Sequence, residues 1–424
     1  MTVLVGSFFL AVALGIPISA SIGISAVLYI LLYAPVSLAI IAQQMTIGID
    51  SFPLLAIPLF LLAGLLMSES NITARIIRFA DALVGRIVGG LAMVMVISCM
   101  IFGAISGSGV ADVTAIGSLM LPAMERQGYR KGLSASLLGC AGSLGTVIPP
   151  SIVMIILGVT TGTSIGKLYL GGFIPGVFTG VCLMALSWMY ARRMGLPAGD
   201  AFTVRKLLVS FKEAFLSLMT PVIIIGGIIT GVFTATEAAA VASAYALILG
   251  LFVYRSLMLS QLPGIFLRVA ETTGIILFII SAAALFGWIL AAEQIPQRMA
   301  EFFLSISHNY YVLLILINVL LLILGTFMET IAIIIIVVPV LMPLVTGLGM
   351  DPVHFGVMVT VNMAIGANTP PVGVDLIAAC RVGHTTLDDA MPYIWPFVTA
   401  MTVALTIITF IPALVTFIPH TFMR

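Results

Sequence analysis

The residues that could do chemistry in this sequence are hydroxyls, amides, glycines and isolated acids, set in four interruptions of long apolar stretches. Ser106-Gly107-Ser108-Gly109 divides the stretch 87–124, and Gly325-Thr326-Phe327-Met328-Glu329-Thr330 divides 309–346. The stretches 131–160 and 353–380 are broken by Gly145-Thr146-Val147-Ile148-Pro149-Pro150-Ser151 and by Gly366-Ala367-Asn368-Thr369-Pro370-Pro371. A proline pair removes two backbone donors and strands carbonyls about four residues upstream. A hairpin tip ends one helix in free carbonyls and starts the next with free N–H groups. Carbonyls and hydroxyls suit a small hard cation such as Na⁺, and helix N-termini suit a carboxylate. Pairing each tip with the break of its own half gives two Na⁺ sites. The first is expected to use Ser106, Gly107, Ser108, Gly145, Thr146 and Ile148. The second would use Gly325, Thr326, Glu329, Gly366, Asn368 and Thr369. Ser106, Ser151, Glu329, Thr330 and Asn362 are the candidates for touching a substrate.

An acid inside a bilayer is costly and functional by default. Glu329 at the second tip is the strongest of these. Asp112 and Asp375 each lie just past a break, where a helix dipole accounts for them as well as function does. Glu237, after Thr234-Ala235-Thr236, reads as a helix cap, and Glu271 as a partner of Arg268. The four histidines are scattered and suggest no proton relay. Gly162 through Leu168 has the wrong spacing for a phosphate loop, with no Ser or Thr after Lys167. Neither zinc-ligand spacing nor a nucleophile elbow occurs. An enzyme is not expected, and energy must come from an ion gradient.

Composition says what must hold these interruptions in place. Of 424 residues, 61% are hydrophobic and 8% charged, where a soluble domain carries about 25% charged. The chain is therefore expected to be an all-α polytopic membrane protein. A net charge of +1 excludes a nucleic-acid surface. Four cysteines inside apolar stretches make neither a disulfide framework nor a metal knot. The first Lys or Arg is Arg75, so the first apolar segment lacks the basic start of a cleaved signal and is expected to stay as an anchor. The segments 3–33 and 37–67 hold Pro17, Pro53 and Pro58 and could each contain a further break.

A shift of 221 residues superposes a second copy of the chain on the first: Pro122 falls on Pro343, Gly145 on Gly366, Pro149-Pro150 on Pro370-Pro371 and Pro175 on Pro396. Upstream, Ile72 and Arg75 match Ile295 and Arg298 at a shift of 223. If the two tip-bearing stretches are re-entrant hairpins, an odd number of crossings lies between them and the halves run in opposite senses. That is an inverted-topology repeat with its site near the midplane. Placing the first hairpin's base in the cytoplasm leaves only Lys167, Arg298 and Arg424 of the 17 Lys and Arg outside, as the positive-inside bias requires. Residues 71–86 put Ile72, Ile76, Phe79, Ala80 and Leu83 on one face, an amphipathic helix lying in the interface. Residues 294–308 are its counterpart.

Taken together, the two hairpins and two broken helices, with Thr230-Gly231-Val232-Phe233-Thr234-Ala235-Thr236-Glu237, resemble the large membrane subunit of tripartite ATP-independent periplasmic (TRAP) transporters over essentially the whole chain. The resemblance implies an elevator-type carrier in the inner membrane, coupled to Na⁺. It further implies a small four-helix membrane subunit and a periplasmic substrate-binding protein that delivers a small organic acid, of the sialic acid or C4-dicarboxylate type. On that pattern, 1–70 and 167–293 are scaffold, 71–86 and 294–308 are arms, 87–166 and 309–390 form the transport domain, and 391–424 is a C-terminal helix. A stand-alone sodium/dicarboxylate symporter and a proton-coupled carrier are the alternatives.

Overall fold

The computed structural model describes residues 2–33, 36–198 and 203–423, which are helical nearly throughout. Arg424, expected outside, and linker residues 199–202 lie beyond the described residues. Among the described residues, seven helices are long and apolar enough to cross a membrane, and an eighth span results if Thr330–Ile336 and Val338–Gly347, bent by 53°, count as one.

Both N-terminal segments contain the breaks that their prolines suggested. The first forms Thr2–Ala13 and Ile18–Tyr33, interrupted just before Pro17. The second forms Ala39–Ile49, a tight turn Phe52–Leu55 and Ala56–Glu69. At the shift of 223 this whole segment corresponds to one unbroken helix, Leu262–Ala292. The difference is local: Pro53 and Pro58 lack the backbone donors that Ile276 and Ser281 supply in the second copy.

The copies interlock. Ile18–Tyr33 of the first half packs on Leu262–Ala292 of the second, and Ala235–Ile248 packs on Ala56–Glu69 in the reciprocal contact. Deeper in, Lys131–Gly142 packs on Leu387–Phe410, and Pro352–Gly366 packs on Ile165–Arg193. This last helix, expected among the scaffold helices, therefore groups with the hairpins and broken helices, and it only grazes Val204–Ile229. Its glycines explain the grouping. A Cβ at Gly172 or Gly176 would stand 2.5 or 2.4 Å from atoms of the first broken helix, so the two helices meet at backbone distance.

The first arm is Ile72–Val84, lying against Gly90–Ser106 and Val204–Ile229. Ile72, Ile76 and Ala80 are buried as the amphipathic pattern required, whereas Leu83 is exposed. Arg78–Glu213 at 3.3 Å and Lys206–Asp81 at 2.7 Å tie it to Val204–Ile229. The second arm is Ile295–Ile306, with only Phe303 buried. Arg268 pairs with Glu69 at 2.8 Å rather than with Glu271, because the adjoining scaffold helix brings an acid closer than its own helix does. Glu237 forms the expected cap, a reciprocal box with Thr234.

Candidate transport site

The first tip is built as its residues dictate. Gly90–Ser106 ends at Gly107, whose φ of 65° is left-handed, and an extended Ser108 starts Gly109–Arg126. A Cβ at Gly107 would lie 2.7 Å from the Pro150 carbonyl oxygen, so glycine is required on both counts. The tip touches its own half's break directly: the Ile152 N–H donates to the Gly107 carbonyl at 3.3 Å. In the second half the Val372 N–H donates to the Thr326 carbonyl at 3.2 Å. Both Pro–Pro bonds are cis. Below each tip two glycines bring the hairpin and broken helix to backbone contact. A Cβ at Gly103 would lie 2.5 Å from the Gly145 Cα, and one at Gly366 would lie 2.8 Å from the Gly325 Cα.

The second tip departs from expectation. Its first helix, Tyr310–Phe327, runs through Gly325 and Thr326, and the Thr326 hydroxyl donates to the Ile323 carbonyl within that helix. The turn is Met328-Glu329, with Glu329 at the N-cap of Thr330–Ile336, the position Ser108 holds in the first hairpin.

Tips and breaks surround a cavity of about 520 Å³. The first half contributes Gly107, Ser108, Gly109 and Thr146, and the second contributes Gly325, Glu329, Thr330, Gly366 and Asp375. Leu61, Thr272, Ile275 and Ile276 close it from the helices outside the hairpin group. Two carboxylates face it, and no Lys, Arg or His is among its lining residues.

Other expected residues sit elsewhere. Ser151 is fully buried as the N-cap of Ile152–Thr161, its hydroxyl accepting from Met154 N–H and donating to the Thr146 carbonyl. Asn362 is fully buried and donates to the Asn318 backbone and side-chain oxygens, away from the cavity, while its own Oδ1 has no partner. Ile148 is packed in the core. Thr369 bonds back to the Ile365 carbonyl. Asn368 is fully buried and donates to the Ala364 carbonyl, while its Oδ1 has no partner.

Asp112 is the residue whose weight the sequence understated. It is fully buried, and Oδ1 accepts a hydrogen bond from Ser106. Oδ2 has no partner and lies against Gly145 and Gly103, where a Cβ would approach it to 2.0 and 2.7 Å. An acid four residues past the Ser-Gly-Ser tip is the available signal. Only the fold shows that the missing glycine side chains leave room for its carboxylate. The Glu329 Oε2 is likewise buried without a partner. An unpartnered oxygen beside each tip/break pair is what a cation would satisfy.

The sequence profile described as "Tripartite ATP-independent periplasmic transporter, DctM component" matches residues 5–414. The chain belongs to this family. It is 40% identical to the sialic acid TRAP transporter large permease protein SiaM of Vibrio cholerae, over 99% of both chains. It is 42% identical to the C4-dicarboxylate TRAP transporter large permease protein DctM of Pseudomonas aeruginosa, over 94% of both. A third relative is the isethionate TRAP transporter permease protein DctMQ of Oleidesulfovibrio alaskensis, at 40% identity over 98% of this chain and 65% of that one. Among solved structures, the Alcanivorax borkumensis YdaH transporter aligns with a TM-score of 0.55 at 14% identity, covering 87% of this chain and 86% of that one. That likeness bears on the fold alone. As a TRAP large permease the chain is a multi-pass protein of the inner membrane, and its relatives are permeases rather than enzymes.

Proposed function

We propose that this TRAP permease takes up a small organic acid, of the kind its sialic acid and C4-dicarboxylate relatives are named for, in symport with Na⁺. The observation that carries this reading is the cavity itself, where Glu329 and Asp375 face the space and no cationic side chain does. Moving an anion into such a site unpaired costs several kcal/mol, so positive charge must enter with it. The first Na⁺ would be held by Asp112 Oδ2 with the Gly145 backbone and the Ser106-Gly107-Ser108 turn. The second would be held by Glu329 with backbone at Gly325 and Gly366. The bound ions offset the charges of Asp112 and Glu329 and, with them, the charge that the substrate carboxylate brings into the cavity.

Movement is proposed to be of the elevator kind. The hairpins, the broken helices, Ile165–Arg193 and Leu387–Phe410 pack on one another as one body. Thr2–Ala13 through Glu69 and Val204–Ile229 through Ala292 form the scaffold, and the two arms join the bodies. A periplasmic binding protein would deliver the acid, and a small membrane subunit would brace the scaffold.

The test is uptake in proteoliposomes containing the permease, its small subunit and the binding protein. Replacing external Na⁺ by K⁺ is expected to reduce uptake to background. Uptake that survives K⁺ but follows a pH gradient would overturn the Na⁺ assignment.

A further inference from the structure

Of the acids around the cavity, one has no part in the two ion sites. Asp375 lies in the first turn of Val374–Val382, is 3% exposed and lines the cavity. Asp112 and Glu329 each stand beside a tip/break pair, where unwound backbone can share a Na⁺ with them. Asp375 stands instead against Gly109, where a Cβ would lie 2.6 Å from its Oδ2. Gly109 begins a helix, and the free backbone groups at a helix start are N–H donors rather than carbonyls. The Ala367 carbonyl, beside the backbone of Asp375, already accepts the Asp375 N–H at 2.9 Å. The setting is a helix start, not the pair of broken backbones that each ion site uses.

The protein does not satisfy this carboxylate either. No hydrogen bond or ion pair reaches it from any described residue, the first turn of Gly109–Arg126 included. A buried carboxylate left unpaired is costly, and inside a bilayer such a group serves a ligand or an ion. The rest of the lining narrows the choice. Val110, Ile152, Val153, Met328, Val372 and Val374 give most of the cavity an apolar wall. Thr272 and Thr330 add hydroxyls that bond to no other described residue. With Na⁺ offsetting Asp112 and Glu329, nothing offsets Asp375, and a plain carboxylate would only add a like charge beside it.

Resting on the reading of this cavity as the Na⁺-coupled site of a small organic acid, we infer that the acid carries its own cationic nitrogen. The substrate is a zwitterion of the amino-acid type, with its ammonium on Asp375. An ammonium has three donors and no need of an oxygen cage, so one carboxylate facing a cavity suffices to orient it. The hydroxyls of Thr272 and Thr330 and the field of the bound ions remain for the substrate's carboxylate, and the apolar wall for its carbon skeleton. A zwitterion enters without adding net charge, which lowers the cost of filling a site that offers no Lys, Arg or His. Asp375 is the residue that sets this preference.

The experiment uses the full permease, purified with its small subunit, so that no binding protein filters the ligand. The readout is the rise in melting temperature that a bound ligand produces, with and without Na⁺. The probes are the standard amino acids and 4-aminobutyrate, the des-amino analogue of each, succinate and N-acetylneuraminate. In Na⁺ at least one amino acid is expected to stabilise the complex, and its des-amino analogue to need a concentration roughly tenfold higher or more. Asp375→Asn is expected to bring the two within about threefold of each other, and its ligand-free melting temperature shows whether it folds. The comparison of analogues on the unaltered protein decides the matter if it does not. Stabilisation by succinate, N-acetylneuraminate or a des-amino acid but by no amino acid would overturn the inference and leave Na⁺-coupled organic-acid uptake standing. Silence from every amino acid, or a preference that survives Asp375→Asn, would overturn it too. Amino-acid binding indifferent to Na⁺ would support the role of Asp375 and remove the ion coupling instead.

Discussion

Asp112→Asn tests the first cation site most directly. The substitution keeps the side chain's size and an oxygen to accept from Ser106, and removes the one full charge beside Gly145. A cation about 4 Å from a carboxylate gains about 4 kcal/mol at an effective dielectric constant of 20, and the amide dipole returns part of it. A net loss of about 2–4 kcal/mol corresponds to roughly 30- to 1000-fold in Na⁺ affinity. Two assays separate affinity from folding. The first is the Na⁺ dependence of uptake in proteoliposomes, and the second is the Na⁺ dependence of thermal stability in the purified complex, which needs no turnover. The half-saturating Na⁺ concentration is expected to rise at least 30-fold in both, with the Na⁺-free melting temperature unchanged or higher because an uncompensated buried charge has gone. The competing account, in which Asp112 merely complements the dipole of Gly109–Arg126, requires the reverse: a stability loss of about 0.3–1 kcal/mol and an unaltered Na⁺ response. That outcome would refute the site.

Glu329→Gln should likewise raise the Na⁺ requirement by at least tenfold and lower the number of Na⁺ moved per substrate, measurable as the uptake current per mole of labelled acid. Ser151→Ala removes a helix cap and should cost about 1 kcal/mol of stability with the half-saturating substrate concentration unchanged; a shifted substrate curve would return Ser151 to the substrate contacts. Gly366→Ala should destabilise by about 1–3 kcal/mol, because backbone of Gly325 stands in the way of the methyl. Gly347→Ala, with open space around it, should be neutral or stabilising by up to about 1 kcal/mol, and equal melting shifts for the two would show that the close crossing is not a constraint.

Much of the site was legible because its signals are local. Gly107 needs a left-handed φ, Pro149 and Pro150 lack donors, and Thr234 with Glu237 closes a capping box within four residues. None of these depends on what lies across the fold. Periodicity helped less, since these helices are apolar on most sides and do not declare which face meets which neighbour. For that reason nothing in its sequence separates Ile165–Arg193 from a scaffold helix, and only its contacts do. Glu271 is the acid nearest Arg268 in sequence, but Glu69 is the one that pairs with it in space. Ser151 and Asn362 are polar residues in apolar stretches, and such residues serve structure or substrate according to whether a partner is at hand. For the Ser151 hydroxyl and the Asn362 amide nitrogen, a partner was.

The amino-acid order alone determined that the chain is membrane-spanning, twofold repeated and interrupted at four points, because hydropathy, proline and glycine act through the solvent and the adjacent backbone. Tertiary structure decided which oxygens remain unpaired, since Asp112 matters only where Gly103 and Gly145 leave it room. It also decided which of two repeat-related scaffold glycines a tip meets: Gly64 lies against Ser106, whereas Gly287, its counterpart at the shift of 223, lies against neither tip. Two like halves in one sequence cannot specify that, because the repeat gives both glycines the same surroundings in the chain.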